Sequence, residues 1–418
     1  MSKLAVIGGC GRTGLRLSLI SANKGHNVSI IDIDEERLNE ISQGNLPFVE
    51  AHAEVYLEQA LKNKSLTLST ENNLISKAEV VIITIGTPVD SNLNPSLEPV
   101  AGVIFDLADY FKQNQLIIFR NTISPQVVGR IKTLIEEKTG FKIGKDIYLA
   151  FAPEILNEGG GGGKNENQNI HELLNAPQPI GAFDNNSFNV AEQFFKTITK
   201  GKISFLTPEE VLLAKLMNNM YAYIQAACAN EFYLISESFG ANIHKILEST
   251  NNEFPAPNPN ASGPGMHKEG WFLVDRIPFA DLVTTAFKIN ESMPAQIVQK
   301  LEKLNVKKVA VLGMTNKGNS DDARASLSYK LRKALYYKDY EVACYDPYLP
   351  EFSDSLTLQN ADAVILMTPH NEFKNFENIK QMVNNQNCVF IDIVGFWEET
   401  KQNAQNGVFK LSKKTKKA

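Results

Sequence analysis

Two polar residues of one helical stretch have side chains that suit carbonyl chemistry. Lys215 and Asn219 lie four residues apart, so both side chains would point from one face of the predicted helix. An ammonium group and an amide aimed at one oxygen suit the stabilisation of an alkoxide or oxyanion. The alternative is a lysine on a solvated helix face, which the spacing by itself does not exclude. Glu154 and Glu158 have the same spacing, but they lie in a loop-like segment where helical periodicity does not apply.

A glycine motif near the N-terminus indicates a dinucleotide site. Gly9, Gly11 and Gly14 fit the pattern GxGxxG between an apolar strand and a helical stretch. The first glycine permits a tight turn, the second lets the backbone approach a pyrophosphate, and the third lets helix and sheet pack closely. Asp32 ends the next strand, where a carboxylate accepts both ribose hydroxyls and repels a 2′-phosphate. NAD is therefore the predicted cofactor, with contacts from Gly9, Cys10, Gly11, Arg12, Thr13, Gly14 and Asp32.

Apolar strands alternate with helical stretches along most of the chain. This alternation predicts parallel sheets with helices on both faces. The expected fold class is α/β, with two Rossmann-like, doubly wound parallel-sheet domains joined by a helical middle domain. The predicted strands are Lys3–Ile7, Asn27–Asp32, Val80–Gly86, Leu116–Arg120, Ile147–Phe151, Lys307–Gly313, Tyr340–Tyr348, Asp362–Met367 and Cys388–Ile393.

One long helix is expected to join the two sheets. Thr207 can cap this helix, Pro208 suits its first turn, and Glu210 stands where a capping box has its acid. The apolar pattern then continues to about Phe239, before Gly240. These limits predict an NAD-binding domain at 1–206, a helical central domain at 207–300 and a C-terminal domain at 301–418.

The composition argues against several classes of function. The chain has 418 residues, of which 43% are hydrophobic, so two or three domains with substantial cores are expected. A net charge of −5 argues against nucleic-acid binding. No segment reaches the roughly 18 apolar residues of a membrane span. Four scattered cysteines and six unclustered histidines predict reduced thiols, no metal site and a cytoplasmic protein.

Separated motifs in the expected order resemble those of the UDP-glucose/GDP-mannose dehydrogenase family. The resemblance extends over roughly residues 3–395 and also implies the fold described above. Its motifs are Thr87-Pro88-Val89-Asp90 (the family's PTPxD), Arg120 to Pro125 (RSTVxPG), Ala152 to Gly159 (PExxxEG), Lys215 to Glu231 (KLxxNxxxAxxxxxxNE), Asn316 to Arg324 (FKxNxDDxR) and Tyr345 to Tyr348 (YDPY).

The resemblance implies a role for each matching residue. Glu154 and Glu158 would orient water and substrate. Asp275 would work with Lys215 and Thr122 to hold a water that accepts the alcohol proton, while Asn219 would help to bind the reacting oxygen. The further implied contacts are Thr87, Pro88, Thr122 and Lys317 with NAD, and Glu154, Lys215, Asn219, Gly265, Lys317 and Arg324 with a nucleotide sugar. The C-terminal domain would be the one that binds the nucleotide sugar. The resemblance also implies a homodimer formed through the long helix, and polysaccharide or glycoconjugate synthesis.

The segment Gly263–Asp275 departs from the family pattern. The family has GPGVGGHCxxxD here, and its cysteine holds the aldehyde as a thiohemiacetal during a second oxidation. This chain reads GPGMHKEGWFLVD, with Trp271 or Gly270 at the cysteine's position. Its cysteines are Cys10, Cys228, Cys344 and Cys388, so no alignment gap restores the thiol. The glycine loop also differs, because Gly8 makes it one residue longer than is usual in the family.

Three interpretations follow from these departures. In the first, the protein uses NAD for a single two-electron alcohol/carbonyl conversion on a nucleotide sugar, with His267 or Glu269 as a further acid or base. The alternative for these two residues is a solvated charged turn. In the second interpretation, Glu154 or Glu158 activates water and an acid is still formed. In the third, the protein is a non-catalytic homologue that binds NAD and a nucleotide sugar.

Overall fold

The computed structural model describes residues 1–86, 98–155, 169–250, 254–274, 277, 280–403 and 408–410. These residues divide into two compact units. The first contains the described residues of Met1–Asn157, Asn167–Asn218 and Trp271–Ile277, and the second those of Asn219–Gly270 and Pro278–Ala418. The predicted division into three domains, with limits at 206 and 300, stays a prediction.

The first unit is built on a sheet with the strand order β3-β2-β1-β4-β5-β6-β7-β8. Neighbouring strands are parallel except β6 and β7. The chain reverses its direction of winding between β1 and β4, where open α/β sheets bind ligands at the carboxyl ends of the strands. The strands are β1 Lys3–Ile7, β2 Asn27–Ile31, β3 Leu66–Ser69, β4 Val80–Ile83, β5 Leu116–Phe119, β6 Tyr148–Phe151, β7 Gln178–Ala182 and β8 Ile203–Leu206.

Helices cover both faces of this sheet. Side chains alternate along β1, so that Leu4 and Val6 join one apolar layer, while Ala5 and Ile7 join the layer on the other face. Both layers are buried, which explains why the strands are apolar at almost every position. The helices are α1 Arg12–Asn23, α2 Glu35–Ser42, α3 Ala53–Lys62, α4 Glu98–Leu107, α5 Val128–Thr139, α6 Asn169–Asn175 and α7 Asn185–Lys196.

The second unit contains a smaller sheet with the order β10-β9-β11-β12-β13, parallel except at β12 and β13. Its strands are β9 Lys308–Leu312, β10 Glu341–Tyr345, β11 Ala363–Leu366, β12 Val389–Ile391 and β13 Val408–Lys410. The remaining helices are α8 Pro208–Ser238, α9 Ile243–Glu248, α10 Pro264–Val274, α11 Asp281–Glu302, α12 Leu327–Tyr337, α13 Phe376–Val383 and α14 Glu398–Asn403. Helices α8 and α10 contribute residues to both units.

Two buried asparagines of the second unit hold the segment that leads into α10. Asn230 Nδ2 donates to the carbonyl of Asn258 (2.9 Å), and Asn230 Oδ1 accepts from the Asn258 N–H (2.8 Å). Asn260 Nδ2 donates to the carbonyl of Thr315 (2.8 Å), and its Oδ1 accepts from the N–H of Leu327 (2.7 Å). These amides satisfy backbone groups that would otherwise be buried without partners. The start of α10 is therefore fixed in place.

The predicted α/β class with two mainly parallel sheets is confirmed. The capping box at Thr207 is also present, because the Thr207 N–H donates to Glu210 Oε2 (2.8 Å) and the Glu210 N–H donates to Thr207 Oγ1 (3.2 Å). The sequence patterns did not predict β3, β7, β8 and β13. Within the described ranges, no helix is long and apolar enough to span a membrane, and no group of three or more His, Cys, Asp or Glu side chains could hold a metal ion.

Candidate active site

The glycine loop after β1 has the close packing that a dinucleotide site requires. A Cβ atom added at Gly14 would lie 2.7 Å from both Gly9 Cα and Thr84 Oγ1, so only glycine lets the first turn of α1 approach the loop. Gly11 precedes α1 as its N-cap, and an added Cβ there would have only the Gly8 carbonyl oxygen within contact distance, at 3.4 Å. The loop thus leaves its backbone open for a pyrophosphate at the helix N-terminus.

The turn itself is made by a different glycine from the one the motif predicted. Gly8 has the left-handed φ of +73°, and its N–H donates to the carbonyl of Ile31 (2.9 Å). At Gly9 a side chain is excluded for another reason, since an added Cβ would lie 2.8 Å from Ile30 Cγ2. The expectation that Gly9 permits the turn is therefore wrong, because the additional residue in the loop shifts the left-handed position to Gly8.

Asp32 lies beside the glycine loop, as an acid that binds ribose would. Its Oδ2 accepts from the Cys10 N–H (2.9 Å) and its Oδ1 from the Asp34 N–H (3.2 Å). A carboxylate oxygen can accept more than one hydrogen bond, so both oxygens can still receive ribose hydroxyls. Burial and the neighbouring Asp32 raise the pKa of the Cys10 thiol to about 12. These residues fit NAD, and Cys10 remains a protonated thiol.

A buried cluster of charges follows β5 and β6 in the same unit. Glu154 Oε2 accepts from Arg16 Nη2 (3.1 Å), and Arg120 Nη2 lies 3.9 Å from Glu154 Oε1. Arg120 Nη1 donates to the carbonyl of Ala152 (2.8 Å). Thr122, which follows β5, is half-buried. Neighbouring parallel strands end at one edge, so this cluster lies at the edge of the sheet where ligands bind.

Several polar atoms of this cluster have no hydrogen-bond partner among the described residues. They are Glu154 Oε1, Arg120 Nε and both polar atoms of the Asn121 amide. Buried polar atoms are almost always paired with protein, water or ligand. This edge of the sheet therefore has the polar atoms to hold water or a ligand, which suits the expected role of Glu154. Neither Arg16 nor Asn121 was predicted, although an arginine inside the apolar run GLRLSLI signals a buried anionic partner.

The segment around residue 269 is a helix, which contradicts the expectation of a solvated charged turn. Residues Pro264–Val274 form helix α10, not a glycine-rich loop. Glu269 is only 2% exposed, and its Oε2 accepts from Asn219 Nδ2 at 2.7 Å. His267 Nδ1 lies 3.9 Å from Glu291 Oε1, and its ring packs against Phe287. The alternative of a solvated charged turn is therefore wrong, because the helix buries Glu269 against Asn219.

The two residues of α8 that were predicted to stabilise an alkoxide, Lys215 and Asn219, are both buried. Lys215 is 2% exposed and Asn219 is 1% exposed, so a lysine on a solvated helix face is excluded. Lys215 belongs to the first unit and Asn219 to the second. A buried ammonium group requires compensating polar contacts.

The loop between β9 and α12 carries the predicted nucleotide-binding residues of the second unit. Arg324 is exposed and donates to both carboxylate oxygens of Asp322, from Nε (2.8 Å) and Nη2 (2.6 Å). Lys317 is half-buried in the same loop, and Gly265 lies in the first turn of α10. The predicted residues Thr87, Pro88, Glu158 and Asp275 lie outside the described residues.

The switch-point loop, Asp32 and the doubly wound sheet are the features of an NAD-dependent dehydrogenase. The chain belongs to the UDP-glucose/GDP-mannose dehydrogenase family. The NAD binding domain of that family matches residues 2–199, and its UDP binding domain matches residues 310–399. The protein is thus an NAD-dependent oxidoreductase of the nucleotide-sugar dehydrogenase class, as the sequence motifs predicted.

Similar proteins support this assignment over nearly the whole chain. A UDP-N-acetyl-D-mannosamine dehydrogenase of Methanococcus vannielii is 30% identical over 396 residues, which cover 90% of this chain and 88% of the relative. A UDP-glucose 6-dehydrogenase of Rickettsia felis is 26% identical over 97% of this chain and 89% of its own. The solved structure of the UDP-N-acetyl-D-mannosamine dehydrogenase of Pyrococcus horikoshii has a TM-score of 0.82 at 28% identity, covering 92% of this chain and 94% of that one.

We expect Asp32 to set the preference for NAD over NADP. Two unit charges about 4 Å apart repel by about 4 kcal/mol at an effective dielectric constant near 20, so removing this charge should improve NADP binding. Asp32→Asn keeps an oxygen that can accept from Cys10, and should shift the ratio of kcat/KM for NADP over NAD by at least about tenfold, which is 1.4 kcal/mol. Steady-state kinetics with both cofactors measures the ratio. Asp34→Asn, two residues away, is the matched control, and an equal shift in both variants would contradict the assignment.

We also expect Glu269 to fix the orientation of the Asn219 amide. Glu269→Ala removes a buried acceptor, a loss of about 1–3 kcal/mol, and should lower kcat/KM about 10- to 100-fold. Glu269→Gln retains an acceptor oxygen and should lose less activity. Leu273→Ala, at a half-buried position of the same helix, serves as the control. If Glu269→Ala retained full activity, Glu269 would have no part in the site.

Proposed function

We propose that this dehydrogenase oxidises one hydroxyl group of a UDP-sugar to a carbonyl and stops after a single two-electron step. The observation that carries the proposal is the lack of a cysteine where the family has its nucleophile. Without a thiol, the aldehyde has no covalent route to a second hydride transfer. Binding of UDP in particular is supported by the UDP binding domain matched at residues 310–399.

None of the cysteines offers a substitute nucleophile near Asn219. Burial raises the pKa of the Cys344 thiol to about 11 and that of Cys388 to about 12, as it does for Cys10. Cys228 follows Asn219 by nine residues on α8, which is two and a half turns, so it lies on the opposite face of the helix. A thiol that stays protonated or points away cannot attack the bound carbonyl.

The packing around Gly270 supports the same conclusion. A Cβ atom added at Gly270 would lie 3.0 Å from Met220 Sδ and 3.1 Å from Val283 Cγ1. Both distances are shorter than ordinary van der Waals contacts, so a side chain at this position would require Met220 and Val283 to give way by a few tenths of an ångström. Trp271, the other possible counterpart of the family's cysteine, has a half-buried side chain without nucleophilic chemistry.

The residues that remain are sufficient for one oxidation. Bound NAD supplies the hydride acceptor. The C–H bond of the alcohol carbon gives up the hydride, the hydroxyl proton leaves to a base, and the carbonyl forms. We assign stabilisation of the developing alkoxide to Lys215 and Asn219, and positioning of the water that takes the proton to Thr122 and Asp275. Glu154, held by Arg16, would orient water at the reacting carbon.

We propose UDP-N-acetyl-D-mannosamine as the first substrate to test, because the relative from Methanococcus vannielii carries that name and is 30% identical. UDP-glucose is the second, on the name of the Rickettsia felis relative at 26% identity. The product would then enter the synthesis of a surface polysaccharide or glycoconjugate.

The ratio of NADH formed to UDP-sugar consumed tests the proposal. We expect one NADH per sugar, because no thiol holds the carbonyl product for a second oxidation. Lys215→Met, which removes the cation at the alkoxide, should form NADH at least about 100-fold more slowly.

Two results would contradict the proposal. A ratio of two would mean that an acid is formed by a route without cysteine, such as water activated by Glu154. Binding of NAD and UDP-sugar without NADH formation would mean a non-catalytic homologue.

We further propose that the protein forms a homodimer through α8. The large apolar side chains Tyr221, Phe232 and Ile235 are 66%, 38% and 48% exposed, and their spacing places them along one stripe of the helix. Large apolar side chains exposed along one face of a helix indicate a protein interface.

Ile235→Glu should convert the dimer to a monomer, because it buries a charge in the apolar stripe. Analytical ultracentrifugation gives the molar mass. The control is Leu282→Glu on α11, whose side chain is 65% exposed. A dimer that survives Ile235→Glu would place the interface elsewhere.

A further inference from the structure

A single buried histidine holds the loop that carries Lys317 and Arg324. The Asn319 N–H donates to His370 Nδ1 at 2.9 Å. Asn319 Oδ1 in turn accepts from the Asn371 N–H at 2.8 Å, so the loop is tied twice to the turn that follows β11. Asn319 also has a left-handed φ of +53°, a conformation that asparagine adopts more readily than most other residues.

The hydrogen bonds determine which nitrogen of His370 carries the proton. A backbone N–H can only donate, so Nδ1 must accept and carries no hydrogen. The hydrogen is therefore on Nε2, which lies 3.1 Å from Asp346 Oδ2 and donates to it. The same carboxylate accepts from the Met314 N–H (2.6 Å) and the Thr315 N–H (3.1 Å). Asp346 thus fixes the start of the loop, and through His370 it also fixes the middle.

The surroundings of His370 leave this arrangement no freedom. The side chains of His370 and Asp346 are both 0% exposed. The imidazole ring packs against Tyr348 and Phe373, at centroid distances of 4.9 and 5.2 Å. A Cβ atom added at Gly318 would lie 2.3 Å from the carbonyl oxygen of Pro369, so the loop backbone packs directly on the turn that carries His370.

We propose that His370 is a positioning residue for nucleotide binding, acting through the hydrogen bond from Asn319 to Nδ1. This inference rests on the proposed binding of a UDP-sugar at the loop that contains Lys317 and Arg324. A loop held in its binding conformation loses less conformational entropy when the ligand arrives. His370 itself does not touch the nucleotide, and it acts only by fixing the backbone between the two cationic side chains.

Two substitutions separate the two hydrogen bonds of the ring. In His370→Asn, Oδ1 takes the place of Nδ1, so the acceptor for Asn319 remains and the donor to Asp346 is lost. In His370→Gln, the amide nitrogen of the glutamine takes the place of the imidazole Nε2. The donor to Asp346 therefore remains, and the acceptor for Asn319 is lost. We expect His370→Gln to weaken UDP binding at least about tenfold and His370→Asn to change it less than about threefold.

Isothermal titration of the full chain with UDP measures this difference, and titration with NAD is the control that should be equal in all three proteins. Equal UDP affinity in both variants, whether unchanged or equally weakened, would overturn the proposal. A wild-type chain that does not bind UDP would instead contradict the proposed function.

Hydrogen exchange on the wild-type protein makes the test independent of how well the variants fold. If His370 arranges the loop in advance, the Asn319 amide exchanges slowly without UDP and changes little when UDP is added. Fast exchange that becomes slow only with UDP would show that the ligand orders the loop, and would overturn the proposal.

Discussion

The hydrogen bond between Asn219 and Glu269 depends on α10 being a helix, and several properties of the candidate site follow from that helix. It turns Glu269 inward to Asn219 and places the neighbouring Gly270 against Met220 and Val283. It also directs His267 to Glu291 and Phe287. Asn219 therefore meets a carboxylate of its own chain, and Gly270 lies close to the side chains of Met220 and Val283. The burial of Glu269 and the close packing of Gly270 are two consequences of one local structure.

Both units hold their charged groups at the carboxyl ends of parallel strands, but they use them differently. In the first unit, Arg16 and Arg120 flank Glu154, and polar atoms of Glu154 and Asn121 have no hydrogen-bond partner among the described residues, which suits the binding of water or a ligand. In the second, Asp346 accepts hydrogen bonds from the Met314 and Thr315 N–H groups and from His370, so its carboxylate holds the loop. The first arrangement suits a reacting site, and the second suits a rigid binding surface.

The sequence was sufficient for features that depend on neighbouring residues. The glycine loop, Asp32, the capping box at Thr207 and the alternation of strands and helices were all predicted because local patterns determine them. Strand β7 was not predicted, because its sequence QPIGA contains a proline and a glycine, which are unusual within strands. The structure explains Gly181 by contact, because an added Cβ would lie 2.4 Å from Val211 Cγ1.

Features that depend on distant residues could not be predicted in this way. Asn219, the partner of Glu269, lies 50 residues away in the sequence. Asn319, the partner of His370, lies 51 residues away. The left-handed turn at Gly8 was also missed, because the motif GxGxxG fits Gly9, Gly11 and Gly14 without it. Contacts with Thr84, Ile30 and Ile31 determine which glycine makes the left-handed turn and which glycines allow close packing.

Mass spectrometry of the product most directly tests the central claim that oxidation stops at the carbonyl. The protein is incubated with NAD and UDP-N-acetyl-D-mannosamine or UDP-glucose, and the mass of the nucleotide sugar is measured before and after. The account predicts a product lighter by two hydrogen atoms. A product that has lost two hydrogen atoms and gained one oxygen atom would be the acid, and would contradict the account.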